Sequence, residues 1–393
     1  MSGITEQCEL RFSPSSSTDT GTFKLLELPA DICKLIESSD TANFPRFTII
    51  GATDEDAVLC TADKTYTVRS VVLSNSILVV TSDPLGENVE DDDEPIHEVF
   101  IRDQLQEVIE LVPSVPRLHK LNSFLRGREY DEGHEDEDMG TNSDDDVSEK
   151  RQKFTYEDAR STIQASHAEL DKGLRDRRIL ILNGELRPIA RSHLTTILEL
   201  ILTNLVSLSL PHTAAPIATL VSALEDEHDI RSAVSRQVLG WFGRVDENRG
   251  TWEMNVDAVI REVGLGILRV YWNDPAHDKA FLAQWRKAVG DTFEDKVALP
   301  LLSGNYLTSI DSLSEPPKTL LTYFPSSELP VEPGARFAEL FLARPRWKIE
   351  EISPFLADIS VDAKERDKLL LKHARTVTDP EGIWYAARAK YSG

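Results

Sequence analysis

Three cysteines, at positions 8, 33 and 60, are too few for a disulfide framework, and their spacing fits no zinc pattern. The chain reads as intracellular and reduced. No GxxxxGK[ST] occurs, so ATP binding of the P-loop type is not expected. HExxH, GxSxG and paired CxxC are missing as well. The nine histidines are scattered, none beside a cysteine at ligand or nucleophile spacing. His193 and His277 therefore read as structural, and the acid pair Glu225/Glu227 as part of a solvated turn. Neither an enzyme nor a cofactor is expected. Long apolar runs are also absent: the most apolar stretch, 194–210, is broken by Glu199 and Asn204. It falls short of the ~20 clean residues of a membrane span and reads as a buried helix. The opening MSGITEQCELRF has no basic region followed by an apolar core, so no signal peptide is expected.

What is present is acid. Against 43 Lys and Arg stand 67 Asp and Glu, a formal charge of −24 over 393 residues and 44.0 kDa. A uniformly basic nucleic-acid coat is excluded, so any contact with nucleic acid needs a local basic face. With 40% hydrophobic residues the chain can bury real cores, and its length suggests two to four domains. Seven acids fall within 87–98 and ten within 131–150. Such runs repel themselves and do not collapse. The first reads as a loop between strands, the second as a flexible acidic linker. Within that linker Ser143 precedes Asp144–Asp146, a setting an acidophilic kinase could use, although a solvated serine is the simpler reading.

Before the linker the signal is β. Segments 23–28, 47–50, 57–60, 66–73, 77–81 and 96–101 are short, apolar and rich in Val, Ile, Phe and Tyr, with turn residues such as Asp63–Lys64 and Ser74–Asn75 between them. Several short strands without intervening helices suggest a small barrel or sandwich, whose edges must be covered or charged; a partner chain could supply the cover. After the linker helices dominate. Thr155 precedes an acidic first turn, and Ile163, His167, Leu170 and Leu174 keep a helical spacing. A short strand is expected at 178–183, and helices at about 229–242, 257–270, 278–289 and 336–343.

The last sixty residues are the most legible. Helices are expected at 336–343, 349–359 and 363–375. Strands at 376–378 and 383–388 then flank Asp379-Pro380-Glu381-Gly382, a hairpin tetrad. Three helices followed by a hairpin is the winged-helix order. On the third helix Lys364, Lys368, Lys372 and Arg375 share one face, while Leu370, Leu371 and Ala374 can turn toward the core. Arg388 and Lys390 extend the cationic surface from the wing, making these six the DNA-binding candidates. Against them, 361–393 holds seven cations and five anions, a balance that also fits a merely solvated face. Trp347 reads as a core anchor. Of Trp384 and Tyr385, adjacent on a strand, one is expected buried and one exposed.

Several segments together resemble the Dcc family of sister chromatid cohesion proteins. The most specific are DAVLCTADKTY at 56–66 and SNSIL at 74–78. Further matches are TFKLLEL at 22–28, Ile163-Gln164-Ala165-Ser166 with Glu169, Arg336-Phe337 with Leu340-Phe341, and Trp347 with EEISPF at 350–355. They run from the first strand to the last domain. The resemblance implies a multidomain α+β chain. Its N-terminal part, 1–130, would be a small antiparallel β-barrel-like domain, followed by the linker 131–150 and winged-helix domains at 151–240, 241–333 and 334–393. It also implies a non-catalytic nuclear subunit of the alternative replication factor C clamp loader, acting in PCNA loading and unloading. The implied partners are the C-terminal tail of the cohesion-specific large subunit, the small chromosome-transmission-fidelity subunit, the catalytic subunit of DNA polymerase epsilon, and single- and double-stranded DNA. The residues alone leave open an acidic protein–protein scaffold or a histone-binding protein without DNA contact.

Overall fold

The computed structural model describes residues 8–12, 22–39, 44–82, 97–131, 153–312 and 315–388. The acidic stretches 87–96 and 132–150, Ser143 and Lys390 lie outside them. The chain divides into two units, Met1–Ser114 and Val115–Gly393.

Among the described residues the first unit is one sheet and one helix. Its elements are β1 (Cys8–Phe12), β2 (Leu25–Glu27), α1 (Ala30–Glu37), β3 (Thr48–Ile50), β4 (Val58–Cys60), β5 (Thr65–Ser82) and β6 (His97–Pro113). The strand order is β1-β6-β5-β4-β3, with β2 also on β6. Three expectations change. The sheet is open among the described residues, not barrel-closed, and β1 and β2 run parallel to β6. The turn expected at Ser74–Asn75 is instead a register irregularity inside one long strand, because pairing with β6 resumes at Ile77↔Leu105. A helix intervenes after all: α1 turns Ile32, four residues before Ile36, onto Leu59, Tyr66 and Leu111. The DAVLCTADKTY block makes the anchor of this core. Thr61 Oγ1 accepts from Lys64 N (2.9 Å) at the tight β4–β5 turn. Tyr66 Oη (2.6 Å) and Lys64 Nζ (2.9 Å) donate to Asp31 on α1. The Tyr66 bond, then Lys64, holds the Asp31 carboxyl below the usual carboxylate range.

The second unit begins with α2 (Lys120–Phe124), α3 (Tyr156–Thr162), α4 (His167–Asp176), β7 (Ile179–Leu182) and β8 (Glu185–Pro188). Leu121 and Leu125 pack with Ile163, Leu170 and Leu186, so the leucines of 118–125 belong to this unit. The spacing that suggested one helix through Ile163 and Leu174 spans two. Ser166 and Glu169 form a capping box that starts α4 afresh.

One order of elements then recurs in three modules: helix, strand, helix, a third helix (replaced by 3₁₀ turns in the second module), strand, strand, with the third strand central in each sheet. The first module is α5 (Arg191–Ser207), β9 (Ala215–Pro216), α6 (Ile217–His228), α7 (Ser232–Trp241), β10 (Gly243–Asp246) and β11 (Thr251–Met254), in sheet order β10-β11-β9. The second is α8 (Val256–Leu268), β12 (Ala276–His277), α9 (Asp278–Val289), two 3₁₀ turns at Glu294–Lys296 and Leu299–Leu302, β13 (Tyr306–Asp311) and β14 (Lys318–Tyr323), in order β12-β14-β13. The third is α10 (Pro333–Ala343), β15 (Arg346–Trp347), α11 (Ile349–Ile352), α12 (Ala363–His373), β16 (Ala374–Asp379) and β17 (Gly382–Ala387), in order β15-β17-β16. The helix expected over 349–359 stops early because Pro354 turns the chain into a 3₁₀ segment, Ser353–Phe355.

Each module is anchored by a buried tryptophan whose indole N–H finds a backbone carbonyl: Trp252 on Leu239 (2.8 Å), Trp285 on Ile260 (2.9 Å) and Trp347 on Leu340 (3.1 Å). The first two modules share one continuous core, while the third has its own. In the third, Arg336 is only 1% exposed. Its guanidinium donates to the carbonyls of Pro330 (2.6 Å), Phe355 (2.8 Å) and Leu329 (3.2 Å) and pairs with Asp358. A buried arginine is tolerated because each of its N–H groups is answered.

Candidate functional surfaces

The third helical position differs from module to module. On α7, the Gln237 side-chain amide clasps the β7 backbone, accepting from Ile181 N (2.9 Å) and donating to Ile181 O (3.0 Å). Beside it, Arg178 lies 4.3 Å over the Phe242 ring and reaches the buried Glu262 (3.1 Å), which Arg269 also meets (3.2 Å). The β7–β8 hairpin thus packs against one side of α7, while Ala233, Arg236 and Gly240 stay exposed on another. The second module has only the two 3₁₀ turns in this place. On α12, Lys364, Lys368 and Lys372 are exposed, as is Arg375 at the start of β16, and none of the four makes an ion pair among the described residues. Asp362 caps the helix by accepting from Glu365 N (2.7 Å).

Two placements differ from the pattern reading. Leu370 and Ala374 are buried, but Leu371 is 68% exposed and stands among the cations. Arg388 is exposed, yet its guanidinium is engaged with Leu371 O and Ala374 O (3.0 Å). It closes the C-terminal end of α12, where unpaired carbonyls favour a cation. Trp384 and Tyr385 are both half-buried. Trp384 Nε1 donates to Asp379 Oδ1 (2.9 Å), and Lys348 Nζ (4.9 Å) and the Arg346 guanidinium (5.8 Å) lie over its ring. The pattern reading missed Arg346 and Lys348; the signal was their flanking of Trp347, Arg346 on β15 and Lys348 at the N-cap of α11.

The first unit offers backbone. β5 pairs β4 only over Thr65–Thr67, and from 69 to 82 its outer side meets no strand among the described residues. Val72 (77%), Val80 (45%) and Leu78 (41%) are exposed along it. A long apolar strand edge of this kind is a template for another strand.

Between the second and third modules lies a cleft of about 180 Å³ lined by Tyr306, Thr308, Arg344, Trp347 and Glu351 among others. Arg344 fills its polar side, reaching Thr308 O (2.8 Å) and Glu351 (2.9 Å). Among the described residues no group of three His, Cys, Asp or Glu could hold a metal ion, and no helix is long and apolar enough to cross a membrane.

These features define a mixed α+β chain that presents surfaces: an open strand edge in one unit and a cationic helix in the other. The family profile described as sister chromatid cohesion protein Dcc1 matches residues 23–356. The chain belongs to that family, whose name supports a role in sister chromatid cohesion. It is 26% identical over 370 residues to sister chromatid cohesion protein DCC1 of Xenopus laevis, covering 92% of this chain and 88% of the relative. The protein of the same name from Mus musculus is 26% identical over 382 residues (95% and 88%). The probable sister chromatid cohesion protein DCC1 of Dictyostelium discoideum is 24% identical over 386 residues (94% of each). None of these names carries an enzymatic activity.

Proposed function

We propose that this chain is a non-catalytic nuclear subunit of the alternative, cohesion-linked replication factor C clamp loader, acting in the loading and unloading of PCNA. The open β5 edge carries the proposal. Its outward N–H and C=O groups and exposed Val72, Leu78 and Val80 need a partner strand. The occupants in this reading are β elements of the C-terminal tail of the cohesion-specific large subunit and of the small chromosome-transmission-fidelity subunit, which would close the sheet into a composite barrel. Co-expression of the full chain with both partners tests it. A stable ternary complex, lost when Val72 and Leu78 are replaced by Pro, supports the reading. A folded chain that captures neither partner removes it.

In the second unit the three modules are, in this proposal, winged-helix domains at 191–254, 256–323 and 333–387; the first two boundaries are moved from 151–240 and 241–333 because β10 and β11 pair with β9. The first would dock the catalytic subunit of DNA polymerase epsilon, and the third would contact DNA through α12. A second reading, an acidic scaffold or histone-binding protein without DNA contact, is favoured by the net charge of −24. Salt-dependent DNA binding separates the two: about four phosphate contacts give a log–log slope of roughly −3 to −4. No binding by the folded chain favours the scaffold.

A further inference from the structure

The sheet of the third module has two unlike faces. The register sets Arg346 and Arg375 both opposite Ala386, and Val377 opposite Trp384. Because side chains alternate along a strand, Arg346, Arg375, Val377 and Trp384 share one face. Trp347, Ala374, Tyr385 and Ala387 take the other, which packs the module's core. The outer face therefore has no core to serve, yet it carries the sheet's second tryptophan. Asp379 orients that ring, accepting from the indole N–H through Oδ1 and lying 3.3 Å from Arg346 Nη1 through Oδ2. Arg346 is 56% exposed, and Lys348, over the ring, has no carboxylate partner among the described residues.

We propose that this outer face is a platform for single-stranded nucleic acid, on which Trp384 stacks a splayed base while Arg346, Lys348 and Arg375 hold the flanking phosphates. The inference rests on the DNA-contact reading above and divides it between two surfaces. The α12 lysines meet backbone charge, which single and double strands both present. An indole face requires an unstacked base, which a duplex does not offer. An acidic peptide would engage the three cations but would leave the oriented indole without a role.

The test uses the full chain and measures fluorescence anisotropy with a labelled oligo-dT and a labelled duplex. Trp384→Ala is expected to weaken oligo-dT binding about tenfold, the scale of one lost base stack, and to change duplex binding less than about twofold. Trp384→Phe should restore most of the loss. Arg346→Gln with Lys348→Gln should reduce the salt slope for oligo-dT by about one to two. These last two variants carry the test if Trp384→Ala does not fold. Unchanged oligo-dT affinity in the Trp384 and Arg346/Lys348 variants, with loss of both ligands in K364Q/K368Q/K372Q, overturns the platform and leaves the DNA reading intact. A folded wild-type chain that binds neither ligand overturns both. Equal competition by polyglutamate and oligo-dT, insensitive to Trp384→Ala, assigns the face to an acidic peptide instead.

Discussion

The first and third modules carry the same elements in the same order, but their third helices meet different neighbours. On α7 the β7–β8 hairpin packs against one side of the helix, with Gln237 clasping Ile181 and Arg178 stacked on Phe242. On α12 nothing described lies over Lys364, Lys368 and Lys372. Element order therefore does not by itself define a binding surface. What decides is which side chains the exposed face carries and whether another part of the chain has already taken it. The modules differ in their cores as well: the first shares its core with the second, whereas the third stands on its own, around a buried arginine.

That difference in cores makes the largest prediction. Arg336→Ala leaves Asp358 and four carbonyls, those of Ser326, Leu329, Pro330 and Phe355, without their donor and should cost the third module roughly 3–5 kcal/mol. Hydrogen exchange should show protection lost over 333–387 and kept over 191–323; loss throughout would show that the cores are coupled. Next is Gly264, on α8, where an added Cβ would sit 2.4 Å from the Trp285 ring. Gly264→Ala should cost about 1–3 kcal/mol by overpacking. Because the first two modules share a core, they should lose protection together, and loss in the second alone would break the comparison.

On the binding side, K364Q/K368Q/K372Q should lower the DNA salt slope by about three. Arg236→Gln, at a lone exposed cation on α7, should change it by less than about one; an effect as large as the triple variant's would mean that the first module binds DNA as well. Gln237→Ala should cost about 1 kcal/mol and raise exchange at Ile181.

The smallest expected effect is a pH dependence confined to the third module. Burial, then the Lys372 charge, pushes the His373 imidazole below its ordinary 6.5, Arg388 adds to this, and Glu332 opposes it. The unfolded chain then takes a proton more readily than the folded one. Stability contributed by the neutral ring is intact above pH ~6.5 and lost as pH falls from there toward the folded value. The third module's melting point should drop between pH 7 and 5.5 while that of the first two holds, and His373→Gln should flatten the slope.

Much of the second unit was legible because its signals are local. Strong periodicity and an Asp at the start place α9 at Asp278–Val289, as the spacing predicts, and Gly382, with φ of 124°, ends the predicted hairpin turn. The misses have physical causes. Helix α6 is missing from the expected elements although Ile217, Leu220, Val221 and Leu224 are helically spaced and buried; it begins directly after a proline, Pro216, which stands at its N-cap. β6 was read only to Ile101 because Asp103, Glu107 and Glu110 interrupt its apolar pattern; they are tolerated because Glu110 and Glu107 accept from Arg69 and Ser70, and Asp103 from Phe23 N. Leu371 looked like a core residue by type, but the helix turns it outward. Of the candidate site, the lysine stripe was legible as simple four-residue spacing. The engagement of Arg388 was not, because it depends on where α12 ends.

By itself the sequence determined the absence of catalytic and P-loop motifs, the acidic balance, the helical cation stripe and the family, because each is a matter of residue type and spacing along the chain. The tertiary structure alone decided which third helix meets the β7–β8 hairpin, that two modules share a core, that β5 is unpaired on its outer side from 69 to 82 among the described residues, and that Arg346 and Lys348 lie over Trp384. Those outcomes rest on contacts between residues distant in sequence, which local propensity does not encode.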